Sequence, residues 1–261
     1  MKSDPLWIKK SGTHLNGLEF SGGYDCAIYI DDPLEDVTIE YCDFAFCGYA
    51  LLVNAAVKNL TFRFNRAYML FGDGICINTT SGVSENLWLH DNTIHAPFSH
   101  ETNRGFGISL RSVHNSYVIA NQIKDSKWQG IHLENYCHNL WIHDNVIDGI
   151  IGKRYGDVNP WQSGWSGIWM IDSDNIWMVE NTVKNTLTAG VHLEGGNNGV
   201  VLVADNKIMK PGSYGVWVEN ALPDPNIWIG AWYDYPANEI RYQSKEKILI
   251  NGGKAGITIN Q

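Results

Sequence analysis

Two copies of one tripeptide, His132-Leu133-Glu134 and His192-Leu193-Glu194, hold the side chains of this chain best suited to proton transfer. A third carboxylate, Glu219, stands two residues after Trp217, as each of those Glu stands two after its His. Paired carboxylates can act as acid, base or nucleophile, and an imidazole titrates near neutral pH. Trp169 takes the His place in a further copy, Gly167-Ile168-Trp169-Met170, and Arg111 takes the Glu place in Gly107-Ile108-Ser109-Leu110-Arg111. Indole rings beside hydrogen-bonding groups suit a sugar, which has apolar faces and a polar rim. The candidate catalytic residues are therefore Glu134, Glu194, Glu219, His132 and His192. The candidate substrate-binding residues are Arg111, Trp161, Trp165, Trp169 and Trp217. No metal set is assigned. Joining His132-Glu134 to His192-Glu194 around one ion would put Trp169 between the halves, and ligands must converge to about 2.2 Å.

These residues share a site only if the chain stacks them. A four-residue phrase recurs at 27, 50, 74, 107, 130, 167, 190 and 215, from Ala27-Ile28-Tyr29-Ile30 to Gly215-Val216-Trp217-Val218. A repeat this short cannot bury a core alone, so copies must pack on one another. A second phrase lies inside each repeat and ends in Asn65, Asn92, Asn121, Asn145, Asn181 or Asn206, as in Leu140-Trp141-Ile142-His143-Asp144-Asn145. The earliest copy puts Cys42 at that place. Both phrases alternate apolar with variable residues, which is the period of a strand with one buried face. Helical periodicity is absent, and Gly, Asn, Asp and Ser punctuate the strands. Successive strands should pair in parallel about 4.8 Å apart, so each slot repeats above itself. The six Asn should form one corner column whose amides bond each other and the turn backbone. Another apolar position follows each Asn by two: Ile94, Ile123, Ile147, Val183 and Ile208.

With these features the chain resembles the right-handed parallel β-helix family, the pectate-lyase-like superfold of many carbohydrate-active enzymes. The Gly-Ile-x-Leu strand, the Asn corner and the repeat length carry the resemblance over roughly residues 27 to 220. It implies an all-β, right-handed, single-stranded parallel β-helix of about nine to ten rungs, with 1–261 as one domain. The superfold hosts several chemistries, so the likeness alone names no reaction. Known motifs of relatives are absent: there is no Asn-Thr-Asp with a following Gly-His-Gly, no Asp-Pro-His-Glu, and no pectate-lyase calcium-aspartate cluster. No cofactor is expected, except calcium where it bridges the chain to an acidic glycan.

The formal net charge is −9, which disfavours nucleic acid as a partner. No stretch has the length of a membrane span. Met1–Pro5 lacks a signal peptide's apolar run, which leaves the chain either cytoplasmic or secreted with its export signal removed. The five cysteines contain no CxxC; they read as small buried hydrophobes, with one pair expected among Cys26, Cys42 and Cys47.

Stacking also sets spacing. Glu194 and Glu219 should lie on adjacent rungs, about 5 Å apart, and Glu134 and Glu194 about 9.6 Å apart. Retaining glycosidases hold their carboxyls at about 5–5.5 Å and inverting ones at about 6.5–9.5 Å. Two corner loops, 95–106 and 149–166, should wall a groove over this face, with Trp161 and Trp165 as a platform facing His95, His100, Glu101 and Arg104. Residues 221–246 are expected to be irregular and to fold back over the last rungs. Trp88, Tyr117, Trp141 and Trp177 form an outward aromatic ladder on the other sheet, a candidate homo-oligomer contact. The leading expectation is cleavage of glycosidic bonds in a poly- or oligosaccharide by carboxylate acid/base chemistry, a glycoside hydrolase first and a polysaccharide lyase or epimerase second. The alternative is a non-catalytic glycan-binding or structural, oligomeric β-helix.

Overall fold

The structure, a computed structural model, describes residues 4–22, 25–97, 105–152, 165–195, 199–221, 226–231, 234–241, 246–252 and 257–260. Every extended element among them is a β-strand, and three parallel sheets run the length of a right-handed β-helix. The Gly-Ile phrases make the first sheet, with Ile108–Arg111, Ile131–Glu134, Ile168–Ile171, Ala189–Glu194 and Tyr214–Ala221 stacked in that order. The phrases that end in Asn make the second, and the short segments after each Asn make a third. Eight full turns run from Cys26–Ile30 onward, preceded by a thin turn of two- and three-residue strands and followed by one that stops after two sheets. The expectation of nine to ten rungs therefore counts the two thin ends as full turns.

Register makes the core. Ile108, Ile131, Ile168, Val191 and Val216 pair in sequence, and all five are fully buried. The apolar residue after each Asn, such as Ile147, points inward from the third sheet and lies over the glycine of the first. A Cβ on Gly130 would sit 2.4 Å from Ile147 Cγ2, so the phrase begins with glycine because the corner leaves no room for a side chain.

The Asn corner forms as the sequence predicts. Asn121 Nδ2 donates to Asn145 Oδ1 at 3.0 Å and to the Leu89 carbonyl at 2.8 Å, and its backbone N–H donates to the same Asn145 oxygen at 3.0 Å. The pattern runs on through Asn181 and Asn206 to Asn238, one place further than the sequence signal reached. At the other end the backbone N–H of Cys42 donates to Asn65 Oδ1 at 2.9 Å. The residue before Cys42 and before each corner Asn from Asn65 to Asn206, including Phe64, Ala120 and Glu180, sits at φ of 50 to 56°. That left-handed turn costs an L-residue roughly 1–2 kcal/mol. The amide column offsets this by satisfying backbone donors where water is excluded.

Two expectations change. Residues 221–246 are mostly regular where described: Asn226–Gly230 pairs with Val200–Ala204 and Glu239–Arg241 with Lys207–Met209. Asn226-Ile227-Trp228-Ile229 keeps the strand alternation, and Asn238 supplies the corner amide. Only part folds back: Tyr235 packs on the outward cluster of Val179, Leu202 and Ala204, together with Trp141, Trp177 and Trp228. The expected disulfide is absent, since all five cysteines are free. Burial pushes the Cys26 thiol up to about 11 and Cys47 to about 12, away from reactive thiolate.

Asn145→Ala should lower stability by about 2–4 kcal/mol in urea unfolding, because it strands the Asn121 N–H in a dry corner. A loss below about 0.5 kcal/mol would show that the column is not what holds the turns.

Candidate active site

The first sheet carries every candidate outside the corner loops. Its outward side chains fall in two rows, two residues apart along each strand. The first row is a stack of rings. Ser109, His132, Trp169, His192 and Trp217 are consecutive register partners. The His132 and Trp169 rings lie 5.2 Å apart, Trp169 and His192 5.6 Å apart at 6°, and His192 and Trp217 4.3 Å apart at 13°. Phe106, from the end of the first corner loop, closes the column over His132 at 4.8 Å.

This stack revises two expectations. The histidines face outward as predicted, yet both are buried, His132 at 5% and His192 at 0% exposure, because neighbouring rings cover their faces, tilted at His132 and parallel at His192. Trp169 spends both faces on His132 and His192, and Trp217 has His192 on one side with Tyr214 at 5.5 Å and its register partner Leu249 also beside it, so a sugar would meet indole edges here. Among the described residues neither ring nitrogen of His132 has a hydrogen-bond partner, and burial pushes its pKa down to about 4.

The second row holds the charges. Arg111 and Glu134 are register partners, and the guanidinium donates to Glu134 Oε1 through Nε at 2.8 Å and again through Nη2. Glu134 is thereby tied to a cation, which leaves it poorly placed for the catalytic role expected of it. Arg111 is engaged in the same pair, against the expectation that it meets substrate. Ile171 then separates this pair from a second one, Glu194 and Glu219, also register partners. Here like charges face each other. Burial, then the neighbouring Glu219, push the Glu194 carboxyl above its ordinary range, while a bond from Trp169 Nε1 to Glu194 Oε2 at 3.2 Å works against the rise. Burial also raises Glu219. His192 Nε2 lies 3.3 Å from Glu219 Oε2. One ligating atom from each of His192, Glu194 and Glu219 lies within 4.8 Å of the others.

The loop residues divide. Trp161, His100, Glu101 and Arg104 lie outside the described residues, as do 153–157 and 162–164. Trp165 is buried against Trp128, 6.3 Å between ring centres, and its indole nitrogen is where a Cβ on Gly152 would fall, at 2.3 Å. It is a buried wedge against Trp128 and Gly152, not an open platform. His95 pairs with Asp125 at 3.1 Å. Sequence reasoning missed Phe106, and it missed Asp172, which adds negative potential beside Glu194. Phe106 stands directly before Gly107, where a bulky residue lands on the ring row of the next rung; Asp172 carries no pattern signal. On the second sheet the aromatic ladder stacks as expected, Trp88 on Tyr117 at 4.2 Å and Trp141 on Trp177 at 4.9 Å.

With three parallel sheets, an amide corner and an outward row of rings and carboxylates, this is a β-solenoid bearing a polar strip. The chain belongs to the right-handed β-helix family: the model described as "Right handed beta helix region" matches residues 54–227. No curated protein matches it. Among solved structures it is similar to the enzymatically active domain of tailspike protein 2 from bacteriophage CBA120, at 10% identity and a TM-score of 0.59, covering 99% of this chain and 47% of that one. It is also similar to a DFA-IIIase from Arthrobacter chlorophenolicus without its lid, at 15% identity and a TM-score of 0.55, covering 83% and 57%. A third is the catalytic unit of a thermostable α-1,3-glucanase from Streptomyces thermodiastaticus, at 14% identity and a TM-score of 0.53, covering 95% and 49%. The chain thus spans about half the length of these structures, and the likeness is one of fold.

The buried His132 makes stability acid-sensitive. The unfolded chain takes up its proton below about 6.5, whereas the folded chain resists until about 4. Stability present above pH 6.5 should therefore fall as pH drops through this window, by about 3 kcal/mol at most. His132→Phe keeps a ring between Phe106 and Trp169 and should flatten that slope in urea titrations across the window. An unchanged slope would place the acid sensitivity elsewhere.

Proposed function

We propose that this protein cleaves glycosidic bonds of a poly- or oligosaccharide along the outer face of the first sheet, with Glu194 and Glu219 as the reacting pair. The observation that carries the reading is the facing of two desolvated carboxylates from adjacent rungs, with oxygens within 4.8 Å. Such closeness suits the retaining arrangement, in which carboxyls lie about 5–5.5 Å apart. The fold likeness to a glucanase supports a saccharide as substrate class.

Glu194 is the proton donor. Its carboxyl is shifted toward the protonated form, and the Trp169 N–H holds one oxygen so that the other can carry the proton to the leaving oxygen. Glu219 then attacks the anomeric carbon and forms a glycosyl ester, and His192 holds it from one side. Water activated by Glu194, now a base, releases the sugar. Glu134 lies beyond Ile171 and is neutralised by Arg111, which leaves it to hold the neighbouring strand and removes it from the reaction. The same pairing takes Arg111 away from the role a lyase would give it, and this favours hydrolysis over elimination.

A second reading, a non-catalytic or oligomeric β-helix, draws on the other face. Trp88 ends the ladder there with 39% of its surface exposed. Such a ring is an anchor for a second copy or a glycan.

Glu194→Gln and Glu219→Gln should each lower turnover by about 100-fold or more on whichever substrate a polysaccharide digestion panel identifies, with affinity little changed. Proton NMR of the first product should show the anomeric configuration retained. Full turnover in either variant would reject the assignment. A panel without cleavage, with binding weakened by Trp88→Ala or a dimer dissolved by it in sedimentation, would favour the second reading.

A further inference from the structure

We infer that His192, Glu194 and Glu219 form a binding site for one divalent transition cation of the zinc class. The inference goes beyond the glycan reading and does not need it, although both involve the same two carboxylates. Its basis is geometric. The three side chains come from two adjacent rungs and place one nitrogen and two oxygens within 4.8 Å of one another. His192 Nε2 and Glu219 Oε2 are already 3.3 Å apart. Bonds of about 2.0–2.1 Å at tetrahedral angles put neighbouring ligand atoms about 3.3–3.4 Å apart. That distance matches one edge of the polyhedron, and Glu194 completes the set when its side chain turns about the oxygen that Trp169 Nε1 holds.

The imidazole is an independent observation from the carboxylates. It is fully buried between parallel Trp169 and Trp217 rings, which set its plane, and its Nε2 lies 3.3 Å from Glu219 Oε2. A ligand ring fixed in this way loses little freedom on binding a cation. The Trp169 N–H on Glu194 Oε2 orients the third ligand in turn and leaves its other oxygen for the ion. Two facing carboxylates in a partly dry setting lack a positive charge, and a divalent ion supplies it.

The donor set selects the ion. One imidazole and two carboxylates match zinc and its neighbours, with a fourth position open to water. Calcium takes about six to eight oxygens and magnesium prefers all-oxygen octahedra, so a buried nitrogen disfavours both. A cation held here occupies both carboxylates, so cation binding and acid/base cleavage exclude each other.

The test is calorimetric titration of the full chain with Zn²⁺ at neutral pH, with Co²⁺ added in parallel as a spectroscopic probe. One site per chain should appear, with the visible absorption of a four-coordinate cobalt centre and a melting temperature that rises with Zn²⁺. Ca²⁺ and Mg²⁺ should not compete. Glu219→Gln and Glu194→Gln should each weaken Zn²⁺ by about tenfold or more. Both side chains lie on the outer face, so these variants keep the fold, which circular dichroism checks. His138→Ala, which removes a surface His–Asp pair with Asp174, should leave the affinity unchanged. No saturable binding up to about 1 mM, or one-site binding indifferent to both Glu variants, would overturn the inference. No substrate enters this experiment. Lack of cation binding therefore leaves the glycan reading standing, and lack of cleavage leaves this one.

Discussion

Everything in this molecule follows from parallel strand pairing held in one register over eight turns. A slip of one residue on any rung would turn its core outward and its polar strip inward. The Asn corner is what opposes a slip. Each amide bonds the Asn above or below, the turn backbone and a carbonyl of the preceding turn, as Asn145 does with Asn181, His143 and Val118. Those bonds are made only when the corners lie in line. The same bonds stabilise seven left-handed residues that chirality disfavours, from Tyr41 to Asp205.

Register also turns distant residues into neighbours, and the identity of each neighbour decides what a side chain can do. Arg111 beside Glu134 makes a neutral pair. One step of sequence logic later, Glu194 beside Glu219 makes a pair with no cation between, and desolvation raises both. Two Glu drawn from the same tripeptide thus have opposite electrostatics. The ring row shows the same dependence. His192 is buried on an outward face because Trp169 and Trp217 happen to occupy the rungs on either side. The faces that a free indole would offer a sugar are consumed in stabilising the stack, leaving the carboxylates and ring edges as the accessible chemistry.

Much of this was legible beforehand. The Gly-Ile phrase, the Asn place and the alternation between them located the first two sheets and the corner column, because a solenoid writes its geometry as a repeat. Adjacent placement of Glu194 and Glu219, and of His132, Trp169 and His192, followed from phrase alignment alone. The third sheet announced itself only as single apolar residues such as Ile147, since its strands do not alternate: Val146–Ile150 buries Ile147 and Ile150, three residues apart. After Ala221 the strands Asn226-Ile227-Trp228-Ile229 and Ile248-Leu249-Ile250 repeat the earlier pattern and were readable, whereas the corner at Asn238 and the strand Glu239–Arg241 were obscured by irregular spacing. Burial of Trp165 was not readable, because nothing local to a Gly-flanked tryptophan tells whether it caps a corner or faces water.

The amino-acid sequence by itself determined which slots recur, and therefore which residues lie one above another on the sheet. That is so because a stack with an unvarying corner converts chain position into lateral position. Only the tertiary structure decided which of those neighbours neutralise, bury or confront each other. Ion pairing and desolvation depend on side-chain direction and on what covers each row. Phe106, Arg111 and the paired indoles settle those at distances of a few ångström, a scale on which a repeat pattern is silent.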